Sequence, residues 1–422
     1  MTDLGPRIEP ALRRAAPALL GYAAVRALGL LALALWSAAR DKSAYTLLTA
    51  RWDALWYTRV AELGYGYEVR LPNGDVHSNL AFFPLLPWLE RLLSATTPLS
   101  YADAGFVVAL LASLAAAWGV FAVTDHVYGR RAGVCAVLLW AVLPVGIVQS
   151  MAYSESLFTA LAAWSLYAVL TGRWVTAGLL ASLAGLTRPV GLAVVAAVWA
   201  TGITAFLRDR RAGESVKTVA VRHPLAASGA LSFVQNRSAA GTGVVHAAEH
   251  APHTDGTPAR RALGMGLAPL GAAAYVLWVG HRTGKGPFGY LDVQAGWRNG
   301  FDGGYAFARF VAEKFTSFPS ALAGVGLIVG VGLVVWLYVV CIRQGQPLPL
   351  LVYAGVVTAL ALCASSYFGS KPRLLMPAFP LLLPLALALA RSRTRRSAVI
   401  VALIATGSAL YGAFWLNGSG PP

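Results

Sequence analysis

Apolar residues fall along this chain in long, nearly unbroken runs. Runs close to the length a membrane-crossing helix needs, about 20 residues, centre near 15–38, 104–124, 132–149, 156–171, 174–187, 190–207, 263–281, 319–341, 347–367, 374–390 and 397–415. The pattern predicts an all-α fold, a polytopic membrane helix bundle of about eleven spans, give or take two because short runs can fuse or tilt. The first run is too long for a signal-peptide core and lacks a small-residue cleavage site, so it reads as a retained span. Threading the runs alternately puts two large polar stretches, 40–103 and 282–318, on one side of the membrane. A third, 208–262, lies on the other side. It is rich in Gly, Ala, Ser, His and Arg with no sustained apolar period, and reads as a flexible linker. The expected organisation is an N-terminal membrane module over 1–207 with the loop 40–103, the linker 208–262, and a C-terminal membrane module over 263–422. No internal repeat is visible, which weighs against transporters built from paired halves.

Composition agrees with the pattern. The 422 residues are 57% hydrophobic and 12% charged, with a mean hydropathy of +0.61. Soluble domains carry about 25% charged residues, so a soluble globule, a disordered chain and a disulfide scaffold are excluded. The net charge of +16 would suggest nucleic acid in a soluble protein. Here it records orientation, and no nucleic-acid partner is expected. With the N-terminus cytoplasmic, the inner loops hold nineteen Lys and Arg against seven acids, and the outer loops fourteen against eleven. Arg130-Arg131 and the arginines from Arg391 to Arg396 supply the short-loop positive charge that sets topology. The expected location is the plasma membrane, multi-pass. Cys135, Cys341 and Cys363 lie inside apolar runs, without disulfide or zinc spacing. His246, His250 and His253 scatter through a polar linker, and no metal site is read from them. Gly324, Gly326, Gly330 and Gly332 read as close helix packing. Asn236-Arg237-Ser238 and Asn417-Gly418-Ser419 match only a short glycosylation pattern.

The candidate chemistry lies in the first outer loop. Arg51-Trp52-Asp53-Ala54-Leu55-Trp56-Tyr57 sets an acid among three aromatics just beyond a span. Gly64-Tyr65-Gly66-Tyr67, His77 and Ala81-Phe82-Phe83-Pro84-Leu85-Leu86-Pro87-Trp88 follow; the last run suits a short interfacial helix. An aromatic belt at the membrane interface explains the rings without any ligand. The sharper reading makes Asp53 a general base on a hydroxyl. Trp52, Trp56 and Tyr57 then wall a sugar or lipid-headgroup site, and Arg51 and His77 join them as substrate-binding candidates.

Four further polar residues lie at membrane edges. Glu155, after Ser154, either favours a helix N-terminus or faces the substrate. Arg188, before Pro189, either makes an ion pair with Glu155 or Asp103 or holds a phosphate with two hydrogen bonds. Lys371 and Arg373, in a short outer loop, run against the topology rule. They either bind phosphate or snorkel to anionic headgroups. Arg298 and Asp302, near Trp297 and Tyr305, are weaker candidates of the same kind.

The motifs Trp52-Asp53-Ala54-Leu55-Trp56-Tyr57, Ala81-Phe82-Phe83-Pro84-Leu85-Leu86-Pro87, Tyr153-Ser154-Glu155-Ser156-Leu157-Phe158 and Leu186-Thr187-Arg188-Pro189-Val190-Gly191 come in order over about residues 45–195. In this the chain resembles the GT-C superfamily of membrane glycosyltransferases, and more narrowly the PIG-V type of GPI mannosyltransferase and its bacterial relatives. The resemblance implies an inverting transfer of a hexose, mannose first, from a polyprenyl-phosphate donor to an acceptor hydroxyl on the extracytoplasmic face. Asp53 matches the proposed catalytic base of that superfamily. The implied partners are the polyprenyl-phosphate sugar, a glycolipid, glycan or protein acceptor, and membrane lipids. No cofactor is required; a divalent cation assisting the lipid phosphate stays open, although no ligand set points to one. The rival reading is a transporter or flippase of a lipid-linked molecule, which would place acids near mid-membrane.

Overall fold

The computed structural model of the chain describes residues 5–222 and 257–418. It is an all-α polytopic helix bundle. Helix α1 (Gly5–Ala38) crosses to the first loop, which carries α2 (Ala44–Thr49), α3 (Asp53–Leu63), the hairpin β1 (Glu68–Arg70) and β2 (Val76–Ser78), and α4 (Leu85–Thr96). The bundle continues through α5 (Tyr101–Tyr128), α6 (Arg130–Ala141), α7 (Ser154–Leu170), α8 (Trp174–Gly185) and α9 (Leu192–Arg222). After residue 257 come α10 (Pro258–Leu267) and α11 (Leu270–Arg282), then the second large loop. That loop holds α12 (Gly289–Gly296), β3 (Gly300–Phe301) and α13 (Tyr305–Glu313). The chain closes with α14 (Phe318–Arg343), α15 (Leu348–Cys363), β4 (Ala364–Ser365), α16 (Lys371–Leu375), α17 (Leu383–Arg391) and α18 (Thr394–Leu416). Strand β1 pairs antiparallel with β2, and β3 with β4.

All eleven apolar runs are helical, but they are not equally long. Among the described residues six helical stretches can cross a membrane by length and composition: Glu9–Ala38, Tyr101–Tyr128, Pro189–Ala212, Pro258–Arg282, Phe318–Arg343 and Thr394–Leu416. A seventh is bent by 74° between Phe368–Leu375 and Phe379–Arg391, and α7, α8 and α15 are shorter apolar helices. Breaks inside apolar runs come with local causes. The run 132–149 ends as a helix at Ala141, just ahead of Pro144, and resumes as a 3-10 turn over Gly146–Ser150. A break at membrane depth strands carbonyl oxygens away from water. The buried Arg26 of α1 donates to two of them, Ala141 O and Gly146 O, which accounts for an arginine inside the first span.

Most of the polar stretch 208–262 falls on residues 223–256, outside the described residues, together with Asn236, His246, His250 and His253. The two ends of the stretch that are described are helical. Helix α9 runs on to Arg222 and α10 begins at Pro258. No proline interrupts residues 192–222, and Arg208, Arg210, Arg211 and Ala212 are strong helix formers. Asn417 is buried and its side-chain amide donates to Ser37 Oγ and Ala413 O, so it serves packing; Ser419 lies outside the described residues.

The core mixes large side chains such as Trp140, Tyr153 and Phe158 with many alanines, and small residues let helices close up. Helices α5 and α7, α1 and α18, and α8 and α10 pack side by side. Helix α15 of the second half lies against α9 of the first. At one end of the bundle Arg14 pairs with Asp125 at 2.6 Å. Arg130 Nε donates to Arg14 O at 3.2 Å and Arg131 Nη2 to Ser392 O at 2.5 Å. The arginine-rich turns therefore share one end. The two large loops meet at the other, where Trp297 Nε1 donates to Ser78 O at 3.0 Å and Arg298 pairs with Asp75 at 2.6 Å.

Candidate active site

Four charged side chains from four separate elements converge at the loop-bearing end. Asp53 is the first residue of α3. Trp52, immediately before it, has φ +52, a left-handed backbone that non-glycine residues rarely adopt. It turns the chain sharply into the helix, whose positive end suits an acid. Glu155 occupies the corresponding first turn of α7. Arg188 is extended, with φ −162 and ψ 156, as a residue before proline must be. Arg373 lies in the short helix α16.

The contacts between them form a chain of alternating charge. Arg373 Nη1 is 2.8 Å from Asp53 Oδ2. Arg373 Nε is 3.2 Å from Glu155 Oε1. Arg188 Nη1 meets the same Glu155 oxygen. The Asp53 side chain is 26% exposed, against 1% for Glu155, 9% for Arg373 and 14% for Arg188. Two carboxylates against two guanidiniums leave the cluster neutral, which is how charge is tolerated where water is scarce. The Arg373 guanidinium lies 5.1 Å from the ring centre of Tyr153. The Tyr57 hydroxyl is 2.7 Å from Ser154 Oγ and ties α3 to the start of α7.

Beside the charges stands a cluster of rings. Trp56 stacks on Phe82 at 5.6 Å and meets Trp297 edge-on at 4.9 Å and Tyr67 at 5.7 Å. Tyr57 meets Phe82 edge-on at 5.1 Å. His77 stacks on Trp297 at 4.0 Å, and burial there lowers its pKa and favours the neutral ring. Arg51 lies over the Trp52 ring at 4.3 Å. Such rings exceed what a membrane belt needs, because they pack on one another across two loops.

Among the residues expected from sequence, Asp53, Glu155, Arg188 and Arg373 come together, and Trp56, Tyr57 and His77 line the adjoining ring cluster. The alternatives left open for Arg188 narrow, since its partner is Glu155. The side chain of Ser154 is turned to Tyr57, and Glu155 is drawn to two arginines. Lys371 and Arg373 do not form an exposed loop but a buried helical turn, which excludes snorkelling. Lys371 Nζ donates to Ala361 O at 2.8 Å and Ala364 O at 2.5 Å, capping the last turn of α15, with the Phe307 and Phe368 rings 5.1 and 5.6 Å away. Arg298 holds the β-hairpin through Asp75. Asp302 accepts the backbone N–H groups of Gly304 and Ala306, so both are structural. Trp297 had been only a neighbour of weaker candidates, yet it is central. Its signal was an aromatic in the second outer loop, whose partner lies over two hundred residues away. No group of three or more His, Cys, Asp or Glu able to hold a metal occurs among the described residues. A groove at the opposite end, lined by Ser392, Arg393, Arg395, Arg396, Val399 and Ile400, contains no acid, and its Ser392 hydroxyl donates to Ala388 O.

Comparison with known proteins bears on the same region. Residues 33–219 match the family model described as Mannosyltransferase (PIG-V), and all four motifs fall within that range. Over 161 residues, 35% of the chain, the sequence is 33% identical to GPI alpha-1,6-mannosyltransferase 2 of Rattus norvegicus. Over 158 residues, 34% of the chain, it is 32% identical to the protein of that name in Mus musculus. The chain spans only 30% and 29% of the length of these two relatives. Among solved structures, ArnT from Cupriavidus metallidurans bound to undecaprenyl phosphate aligns over 92% of this chain and 63% of its own, at 14% identity and TM-score 0.48. The oligosaccharyltransferase AglB from Archaeoglobus fulgidus, in complex with an inhibitory peptide and a dolichol-phosphate, aligns over 95% of this chain and 56% of its own, at 13% identity and TM-score 0.45.

Proposed function

We propose that this chain is an inverting membrane mannosyltransferase. It takes mannose from a polyprenyl-phosphate donor on the extracytoplasmic face and passes it to a hydroxyl of a glycolipid, glycan or protein. The observation that carries the reading is the charge cluster: a partly exposed acid paired with the buried Arg373, which Glu155 links to the half-buried Arg188, at the end of the bundle where two loops set aromatic rings. The match of residues 33–219 to the mannosyltransferase family supports the choice of reaction and sugar.

In this mechanism Asp53 accepts the proton of the acceptor hydroxyl as its oxygen attacks the anomeric carbon. The bond from that carbon to the phosphate oxygen breaks on the opposite face, and the electron pair leaves with the polyprenyl phosphate. Arg373 and Arg188 hold the charge that grows on the leaving group; a guanidinium binds phosphate with two parallel hydrogen bonds. Trp56, Trp297 and Tyr67 offer ring faces and edges to a sugar. Any divalent cation would act on the phosphate, and the two acids of the cluster are already matched by arginines.

A transporter would instead concentrate acids midway along spans. The described long spans carry theirs near the ends, at Glu9, Asp103, Asp125 and Asp209, which favours the enzyme. The test is transfer of labelled mannose from polyprenyl-phosphate mannose in membranes. Asp53→Asn is expected to keep expression and to lower transfer by at least about a hundredfold, the scale of a lost general base. Full activity in that variant overturns the assignment.

A further inference from the structure

Resting on this reading, we infer that the cluster is a gate on the base: in the donor-free protein Arg373 holds Asp53, and the donor phosphate takes the place of Asp53 on that arginine, returning the carboxylate oxygen to the acceptor. The geometry is asymmetric in the way such an exchange needs. Glu155 contacts both arginines and is 1% exposed, so an incoming anion cannot reach or replace it. Among the described residues Asp53 forms an ion pair with Arg373 alone and is 26% exposed, so it is the replaceable anion. Arg373 itself is fixed. Its Nε faces Glu155, and the Tyr153 ring lies 5.1 Å from its guanidinium, leaving the nitrogen that faces Asp53 as the exchangeable position.

The exchange balances charge at each stage. Before binding, two carboxylates match two guanidiniums. After binding, phosphate and Glu155 occupy the two guanidiniums, and Asp53 is left without an arginine partner. A carboxylate released from its arginine has both oxygens free to meet the acceptor hydroxyl. The base is thereby freed only when a lipid-linked phosphate is in place. Free acceptor or water meets an Asp53 whose Oδ2 is occupied.

Affinity for the phosphate should therefore rise when its internal competitor is removed. The probe is undecaprenyl phosphate, titrated against the purified full-length protein in nanodiscs, with binding read by native mass spectrometry. Asp53→Asn is expected to bind it about tenfold more tightly than wild type, the worth of one released charge-assisted contact. Asp53→Ser should move the same way, which guards against a folding defect in either variant. Arg373→Gln should bind more weakly. Adding Asp53→Asn to Arg373→Gln should bring no gain, because the competition then has no object. Equal or weaker binding by both Asp53 variants, or a gain that persists without Arg373, overturns the gate. The labelled transfer assay separates the two ideas. Lost transfer with unchanged affinity removes the gate and keeps the base. Tighter binding with full transfer keeps the ion exchange and removes the base. No binding by any of the proteins overturns both.

Discussion

At the scale of single residues, the candidate site depends on local irregularities that hydropathy does not reveal. Trp52 with its positive φ and Arg188 before proline both turn the chain where a side chain has to be aimed. Asp53, Glu155 and Arg188 are legible because acids and arginines at membrane edges stand out, and of the two acids the sequence offers Arg188, Glu155 and Asp103, the structure pairs it with Glu155. The contact between Arg373 and Asp53 was not legible, since more than three hundred positions separate them and only tertiary packing joins them. Glu90 shows a different cost. It faces Gly105 from α4, is fully buried, and neither carboxylate oxygen has a hydrogen-bond partner. Burial pushes its pKa well above the ordinary carboxylate range. Folding therefore takes up a proton here. Stability is greatest below the ordinary glutamate value and falls as pH rises from there through the raised value. Glu90→Met keeps the volume and removes the loss. The variant is expected to be more stable at pH 7.5 by about 2 kcal/mol, the scale of an unpaired buried polar group. That advantage should shrink near pH 4.5, as read from thermal unfolding in detergent at the two pH values.

At the scale of elements, every predicted apolar run is a helix, but run length did not show where helices break. The bend between α16 and α17 and the break after Ala141 both follow from prolines embedded in apolar sequence, at Pro377 and Pro144, which composition alone treats as tolerated. Nor did the runs show which helices touch. The contact of α8 with α10 rests on two glycines. A Cβ at Gly178 would stand 2.2 Å from Gly264 O, and one at Gly264 would stand 2.2 Å from Trp174 O. Backbone meets backbone there, so no side chain can swing aside. Gly264→Val is expected to cost about 3 kcal/mol or more, above the usual range for overpacking. It should lower the thermal midpoint, while Gly266→Val, where nothing lies within 4 Å, should leave it close to wild type.

At the scale of the whole molecule, the two ends of the bundle differ in chemistry. Arg14, Arg130 and Arg131 gather with the start of α18 at one end, and the acid-containing loops meet at the other. By the positive-inside rule we propose that the arginine end faces the cytoplasm. Asn73 lies in the exposed turn of the β-hairpin and Arg395 in the first turn of α18. With cysteine placed at either position, a membrane-impermeant thiol reagent on intact cells is expected to label Asn73→Cys and spare Arg395→Cys. Labelling of Arg395→Cys alone would reverse the assigned orientation. Background should be low, because Cys135 and Cys341 are buried and Cys363 is half-buried.

The late position of Arg373 also bears on how the protein is made. Asp53, Glu155 and Arg188 are all translated more than 180 positions ahead of Arg373. A growing polypeptide on the ribosome thus exposes an acid whose final neutralising partner has not yet been synthesised. Insertion of the closing helices both buries the remaining apolar faces and completes the charge pairing. Chains released before residue 373 would carry the Glu155–Arg188 pair with Asp53 unmatched.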